Sequence, residues 1–160
     1  LDVGFNLTLP IFRRLSPRGL IDRRREAEAI GTQMRALDIS AAGRQAPTWT
    51  LSGGNQQKIV LGKWLNHGAD LFIVDEPTVG VDVGTKLQIY RLFAELLRKG
   101  AGIIMISSYL PEVYDLSDTL HVFRQGRQVS SYGARGVDHE TILADAMGTA
   151  NKTSNGGKAA

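Results

Sequence analysis

Apolar residues run along this chain in two rhythms. From Ile21 to Ile39 they recur at helical spacing, with Ile30, Met34 and Leu37 four and three residues apart, which predicts a helix. Ser40 to Thr50 is mostly polar or small, holds Gly43 and Pro47, and is predicted as a loop. A second helix is predicted from near Ser52 to about His67, burying Val60, Leu61, Trp64 and Leu65. The rhythm then changes. Leu71 to Val74 is an unbroken apolar run suited to a buried parallel strand, and Pro77 and Gly80 end it. A long helix is predicted from about Val83 to Lys99, with Leu87, Tyr90, Phe93, Ala94 and Leu97 as its apolar stripe and Gly100 as its stop. Ile103 to Ile106 is a second buried strand, followed by a short helix from about Pro111 to Leu116. Leu120 to Phe123 and Gln128 to Tyr132 flank the turn "RQGR" and predict a hairpin. Asp138 caps a last helix that ends at Gly148, and residues 149–160 are predicted as a disordered tail with no apolar residue larger than alanine. Strand alternating with helix between Leu71 and Leu120 predicts an α/β domain with a parallel sheet.

Composition narrows this picture. The 160 residues match one domain. The longest apolar-plus-glycine run, Ala101 to Ile106, is far short of the ~20 residues of a membrane helix. No signal-peptide pattern is present, so the chain is expected neither to span a membrane nor to be secreted by its own instructions. The absence of cysteine excludes disulfides and thiolate metal sites. A net charge of +3 is too small to argue for nucleic acid. The cluster Arg13, Arg14, Arg18, Arg23, Arg24 and Arg25 is interleaved only with Phe12, and reads as a solvated face of a helical region. His67, His121 and His139 lack metal-ligand spacing, and Trp49 and Trp64 read as packing residues. The chain opens on Leu1 in what reads as mid-domain sequence and is expected to be a fragment.

Two stretches carry chemistry. In "LSGGNQQK", Leu51 to Lys58, a serine and two glycines open a helix, where free N–H groups and the helix dipole favour an anion. "SGG" alone is more often an ordinary serine cap after a loop, and the following "NQQK" and apolar helix sharpen the signal. In "LFIVDEPT", Leu71 to Thr78, Asp75 falls at the carboxyl end of a strand, where open α/β sheets bind ligands. An aspartate there can hold Mg²⁺, and Glu76 beside it can orient and deprotonate a water; the pair could also merely cap a helix. "VGVD", Val79 to Asp82, is a turn into the next helix and is weak alone.

Order and spacing bring these together. Ser52 precedes Asp75 by 23 positions with one helix between, "VGVD" follows, and the second strand ends at Ser107 and Ser108. This arrangement resembles the ATP-binding cassette ATPases, in the order signature motif, Walker B strand, D-loop and switch strand. It resembles most the second cassette of the tandem ATPase subunits of simple-sugar importers of the ribose, galactose and xylose group. The stretches that carry the resemblance are "NLTLP", "GLIDRR", "LSGGNQQKIVLGKWL", "DEPTVGVDVGTK" and "MISSYLPEVYDLSD", spread over most of Asn6 to Arg127. The phosphate-cradling loop G-x-x-x-x-G-K-[ST] is absent: Gly62-Lys63 is followed by Trp64, and Gln57 stands where the first glycine would be. Ser108 occupies the switch position, usually histidine in the superfamily and serine in these second cassettes. Tyr109 replaces an expected glutamate, and Val79 an arginine.

The resemblance implies a P-loop NTPase-like α/β nucleotide-binding domain without its phosphate loop. It would span 1–148, with a helical subdomain at about 15–64 and, at about 65–148, the distal half of a parallel core sheet with a closing hairpin. It implies ATP and Mg²⁺ as cofactors and hydrolysis that powers sugar uptake through a separate membrane permease, at the cytoplasmic face of the inner membrane. Ser52, Gly53, Gly54, Asn55 and Gln56 would contact ATP held by a second cassette, upstream in the same chain or in a dimer mate. Asp75 would hold Mg²⁺, Glu76 and Ser108 would act in hydrolysis, and Asp82 would line the interface between cassettes. A sugar-binding protein is an indirect partner and no nucleic acid is expected. The fragment alone is expected to be inactive. The rival expectation is a non-transport cassette ATPase acting on nucleic acid or ribosomes, for which the long heptad arms of the DNA-repair type are missing.

Overall fold

The first element is one that the apolar rhythm does not predict. In the computed structural model, which describes residues 1–17 and 19–149, Val3–Thr8 form helix α1. The Asp2 carboxylate caps it, accepting from the Phe5 N–H at 2.7 Å. The helix has six residues and only Val3 and Leu7 as large inward side chains, too short for a period to show. The loop at 40–50 holds it: the Val3 N–H donates to the Ala46 carbonyl at 3.1 Å and the Gly4 N–H to that of Arg44 at 2.8 Å. A 3-10 turn at Leu9–Ile11 and helix α2, Phe12–Leu15, follow.

Helix α3, Arg23–Ala36, begins at an Asp22 cap that accepts from the Arg24 and Arg25 N–H groups at 3.1 Å each, inside the predicted span of 21–39. Arg23, Arg24 and Arg25 are exposed and paired with Glu26, Glu28 and Asp22, as a solvated helix face requires. Helix α4, Gly53–Leu65, corrects the predicted packing. Its inward residues are Gly54, Lys58, Ile59 and Gly62, while Val60 and Trp64 are about half exposed. Small residues face inward because the helices approach closely there. A Cβ on Gly62 would lie 2.5 Å from Leu37 Cδ1 and 2.9 Å from Leu7 Cδ2. Val3, Leu7, Ile30, Leu37, Ile39 and Ile59 form the resulting core. Trp49 is 70% exposed, so it is no packing residue here, and Trp64 carries the Lys63 ammonium 5.4 Å from its ring centre.

Strand β1, Leu71–Asp75, pairs in parallel with β2, Gly102–Ile106, in the register Leu71 to Gly102 through Asp75 to Ile106. The parallel pairing matches the sequence; the burial does not. Phe72 is buried, but Leu71, Ile73, Ile104 and Ile106, which alternation puts on one face, are each at least half exposed. A parallel sheet needs cover on both faces, and the described residues cover one. Helix α5, Val83–Arg98, buries Thr85, Ile89 and Phe93, while Leu87 and Leu97 of the predicted stripe are about half exposed and Ala94 is exposed. The helix is apolar on two sides, and of the predicted stripe only Phe93 is buried and Tyr90 half-buried.

Contacts gather the chain into two compact units, Leu1–Ile106 and the residues from Ser107 onward, each described by itself. The second unit holds α6, Leu110–Leu116, the antiparallel hairpin of β3, Thr119–Arg124, and β4, Arg127–Gly133, and helix α7, His139–Met147. Gln125 and Gly126 make the predicted turn, both at positive φ (49° and 74°). Asp138 caps α7 through the Thr141 N–H at 2.7 Å, and Gly148 ends it in the left-handed region, as the sequence predicts. Leu120, Val122, Ala134 and Ile142 form this unit's core. Arg18 and the predicted tail beyond Thr149 lie outside the described residues. Among the described residues, no helix is long and apolar enough to cross a membrane.

Candidate functional site

The start of α4 builds the centre of the site. Ser52 has extended backbone and its Oγ accepts from the Asn55 N–H at 3.5 Å and from the Asn55 side-chain amide at 3.0 Å. The first distance is at the outer limit for a cap bond, so the hydroxyl is only loosely committed to capping. Asn55 in turn accepts from the Ser40 N–H at 2.9 Å, and Gln56 donates to the Leu51 carbonyl at 2.8 Å. Both side chains, candidates for nucleotide contact, are folded back on the chain and fix the loop before the helix. Two residues further on, the Lys58 ammonium, 7% exposed, donates to the Asp38 carbonyl at 2.8 Å, where Asp38 takes a φ of 49°.

Gly53 and Gly54 meet the chain itself. A Cβ on Gly53 would lie 3.1 Å from the Gly80 carbonyl oxygen. One on Gly54 would lie 2.7 Å from Thr85 Oγ1, 3.2 Å from its Cγ2 and 3.3 Å from its Cβ. The missing side chains therefore serve close packing on the turn after β1, besides leaving N–H groups open at a helix start.

That turn carries the acidic pair. Asp75 ends β1 and is exposed; Glu76 is half-buried at a φ of 47°, and its N–H donates to the Ile106 carbonyl at 2.8 Å. Pro77 and Thr78 are buried, Gly80 turns the chain at a φ of 72°, and Asp82 caps α5. The Thr85 N–H donates to Asp82 Oδ1 at 2.9 Å and the Thr85 hydroxyl to Oδ2 at 2.8 Å. These bonds, the backbone one foremost, hold Asp82 below the usual carboxylate range. Gln57 donates to the Pro77 carbonyl at 2.8 Å.

A single exposed carboxylate at a strand end fits Mg²⁺, which takes one or two protein carboxylates and completes its octahedron with water and substrate phosphate. Among the described residues no group of three His, Cys, Asp or Glu forms a metal cage, and His67, His121 and His139 are exposed. In the second unit Ser108 is exposed between two anchored neighbours. The Ser107 hydroxyl donates to Glu112 Oε2 at 3.0 Å and accepts from the Tyr109 N–H at 3.1 Å, with Glu112 only 3% exposed. Sequence reading passed over Gln57, Thr85 and Glu112. Only the first had a signal, its place one turn from Gly54 on the same helix face.

The structure thus packs Gly53 against Gly80 of the turn and Gly54 against Thr85 just beyond it, within the one unit that also holds Ser52, and places Ser108 in the other. No family model matches the chain. The ribose import ATP-binding protein RbsA of Bacillus subtilis (strain 168) is 45% identical over 143 residues, 89% of this chain and 29% of that protein. The xylose import ATP-binding protein XylG of Burkholderia ambifaria is 43% identical over 152 residues, 95% of this chain and 29% of that protein. The chain spans under a third of the length of these relatives. The dimeric post-hydrolysis ATP-binding cassette MJ0796, bound to ADP and phosphate, superposes with a TM-score of 0.73 at 18% identity, covering 86% of this chain and 58% of that one. The ABC transporter cassette MJ1267 gives 0.69 at 22% identity, covering 90% and 58%. By sequence the chain is homologous, over most of its length, to part of the sugar-import ATP-binding subunits of ABC transporters, and its α/β fold matches part of an ATP-binding cassette.

Proposed function

We propose that this chain is part of an ATP-binding and hydrolysing subunit that powers import of a simple sugar through a separate membrane permease. The observation that carries the reading is the start of α4. Two glycine N–H groups open a helix of thirteen residues, beside a serine hydroxyl whose proton goes to no protein acceptor among the described residues. The functional division follows the sequence: a helical subdomain at 15–64 and a core at 65–148.

Ser52, Gly53 and Gly54 donate to the γ-phosphate of ATP carried by a second cassette, with Asn55 and Gln56 setting the serine's loop. Asp75 holds Mg²⁺, which when bound neutralises phosphate charge. Glu76 accepts a proton from the attacking water at its own cassette's nucleotide, and Ser108 offers a neutral hydroxyl to a γ-phosphate. Asp82, ionised at neutral pH, faces the second cassette. The subunit is peripheral at the cytoplasmic face of the inner membrane. A sugar-binding protein acts on it only through the permease.

The test is Glu76→Gln in the full-length subunit, with the partner site disabled. Shape is kept and the base is lost, so ATP binding persists while turnover falls by about 10²–10⁴-fold. Unchanged turnover would remove Glu76 from the catalytic set.

A further inference from the structure

The turn from Glu76 to Asp82 is held at both of its ends by α4. At its start, Gln57 donates to the carbonyl of Pro77, a fully buried residue next to Glu76. At its end, Thr85 fills the space a Cβ on Gly54 would need, at 2.7 Å from its hydroxyl oxygen, while the same hydroxyl is bonded to Asp82. Between these points the Gly80 carbonyl leaves only 3.1 Å for a Cβ on Gly53. Gly54 and Gln57 are three residues apart, so one face of one helical turn makes both contacts. Thr85 is 8% exposed and Gly54 is buried, so neither can shift without moving the other. Glu76 is meanwhile kept at a φ of 47°, a conformation that a non-glycine residue holds only when its surroundings impose it.

We propose that Thr85 and Gln57 are positioning residues that key the phosphate-facing Ser52 to the turn bearing Glu76, so that the two nucleotide sites served by this chain share one rigid part. The proposal rests on the reading of Ser52 to Gly54 as a γ-phosphate contact. A ligand that settles on Ser52 presses α4 against the Thr85 face and the Pro77 carbonyl, and the displacement reaches Glu76 through six residues of turn rather than across the domain. Thr85 touches neither nucleotide. Its effect is on where the donors and the base stand.

The experiment is steady-state Mg-ATP hydrolysis by the full-length subunit carrying Gly54→Ala, Thr85→Ala, both together, or Thr85→Val, with Ser52→Ala alongside and each variant's folding checked by urea denaturation. A displacement of about 1 Å at the donors is expected to cost tenfold or more, so Gly54→Ala lowers kcat by at least about tenfold with KM changed less than about twofold. Thr85→Ala vacates the space the new methyl needs, so the double variant recovers at least about threefold in kcat over Gly54→Ala. A double variant no better than Gly54→Ala overturns the keying. If Gly54→Ala does not fold, the Thr85 pair decides. Valine keeps the branched wedge and retains at least about threefold more kcat than alanine, whereas equal loss overturns the proposal. A Ser52→Ala that loses turnover while the Thr85 series does not respond overturns the keying and leaves the ATPase reading standing. A subunit in which neither responds overturns both.

Discussion

Replacing Ser52 by alanine separates its observed cap from its proposed phosphate contact, because the two differ in magnitude. As an N-cap the hydroxyl accepts from the Asn55 N–H at 3.5 Å, a weak bond, so its loss belongs at the low end of the cap range, about 0.5 kcal/mol. For a 160-residue chain that lowers the melting temperature by only about 1–2 °C. As a donor to a γ-phosphate, the same hydroxyl makes a bond to a charged acceptor, worth about 1.5–3 kcal/mol. If that bond strengthens as charge develops in the transition state, its loss lowers total ATPase turnover by about 10–150-fold. The assay pairs thermal denaturation of this chain with steady-state ATP hydrolysis by the full-length subunit. Ser108→Ala is the comparison. A serine carries no positive charge at neutral pH, so a site that Ser108 completes in the proposed reading is expected to be slow, and its removal is expected to lower total turnover by less than about threefold. Equal losses from the two substitutions, or a larger loss from Ser108→Ala, would refute the reasoning. So would a Ser52→Ala chain that melts like a core variant.

Other outcomes follow from single residues. Leu7→Ala empties a fully buried position in the first core and lowers stability by about 2–5 kcal/mol, read as a lower urea midpoint with unchanged slope. The chain alone shows no micromolar Mg-ATP binding by calorimetry, because it lacks the phosphate loop that supplies most N–H donors and the lysine. In the second unit the Tyr132 hydroxyl donates to Asp145 Oδ2 at 2.5 Å, and this bond foremost raises the tyrosine pKa. Its stabilisation is complete below the ordinary tyrosine pKa of about 10 and is lost as pH rises through the higher folded value. Denaturation midpoints of Tyr132→Phe therefore fall less steeply with pH in that window than those of the parent chain, and identical slopes would contradict this.

The serine cap before α4, the acidic pair at the end of β1 and the paired serines after β2 were all legible in the sequence as local features, because each depends on local chemistry. Ser52 and Asp138 read as caps from residue type and from the helix that follows. The strand ending at Asp75 reads from its unbroken apolar run, and the hairpin turn at Gln125 and Gly126 from its flanks. Order along the chain was enough for the family, since the motifs are contiguous and their spacing is fixed by one intervening helix.

Tertiary structure decided which face of each element is inside. In α4 Gly54, Lys58, Ile59 and Gly62 face inward and Trp64 outward; in α5 the inward face is Thr85, Ile89 and Phe93. Hydrophobicity ranks side chains by size and polarity, whereas close helix approach selects small ones, and a helix apolar on two sides gives the sequence no basis for choosing. Helix α1 was hidden for a related reason. Its six residues owe their conformation to an aspartate cap and to a loop forty residues away in sequence, at Arg44 and Ala46. Thr85 was likewise invisible, because a threonine inside a helix carries meaning only once a glycine is placed against it, and the helical position of Gln57 gave no hint of the proline carbonyl it meets.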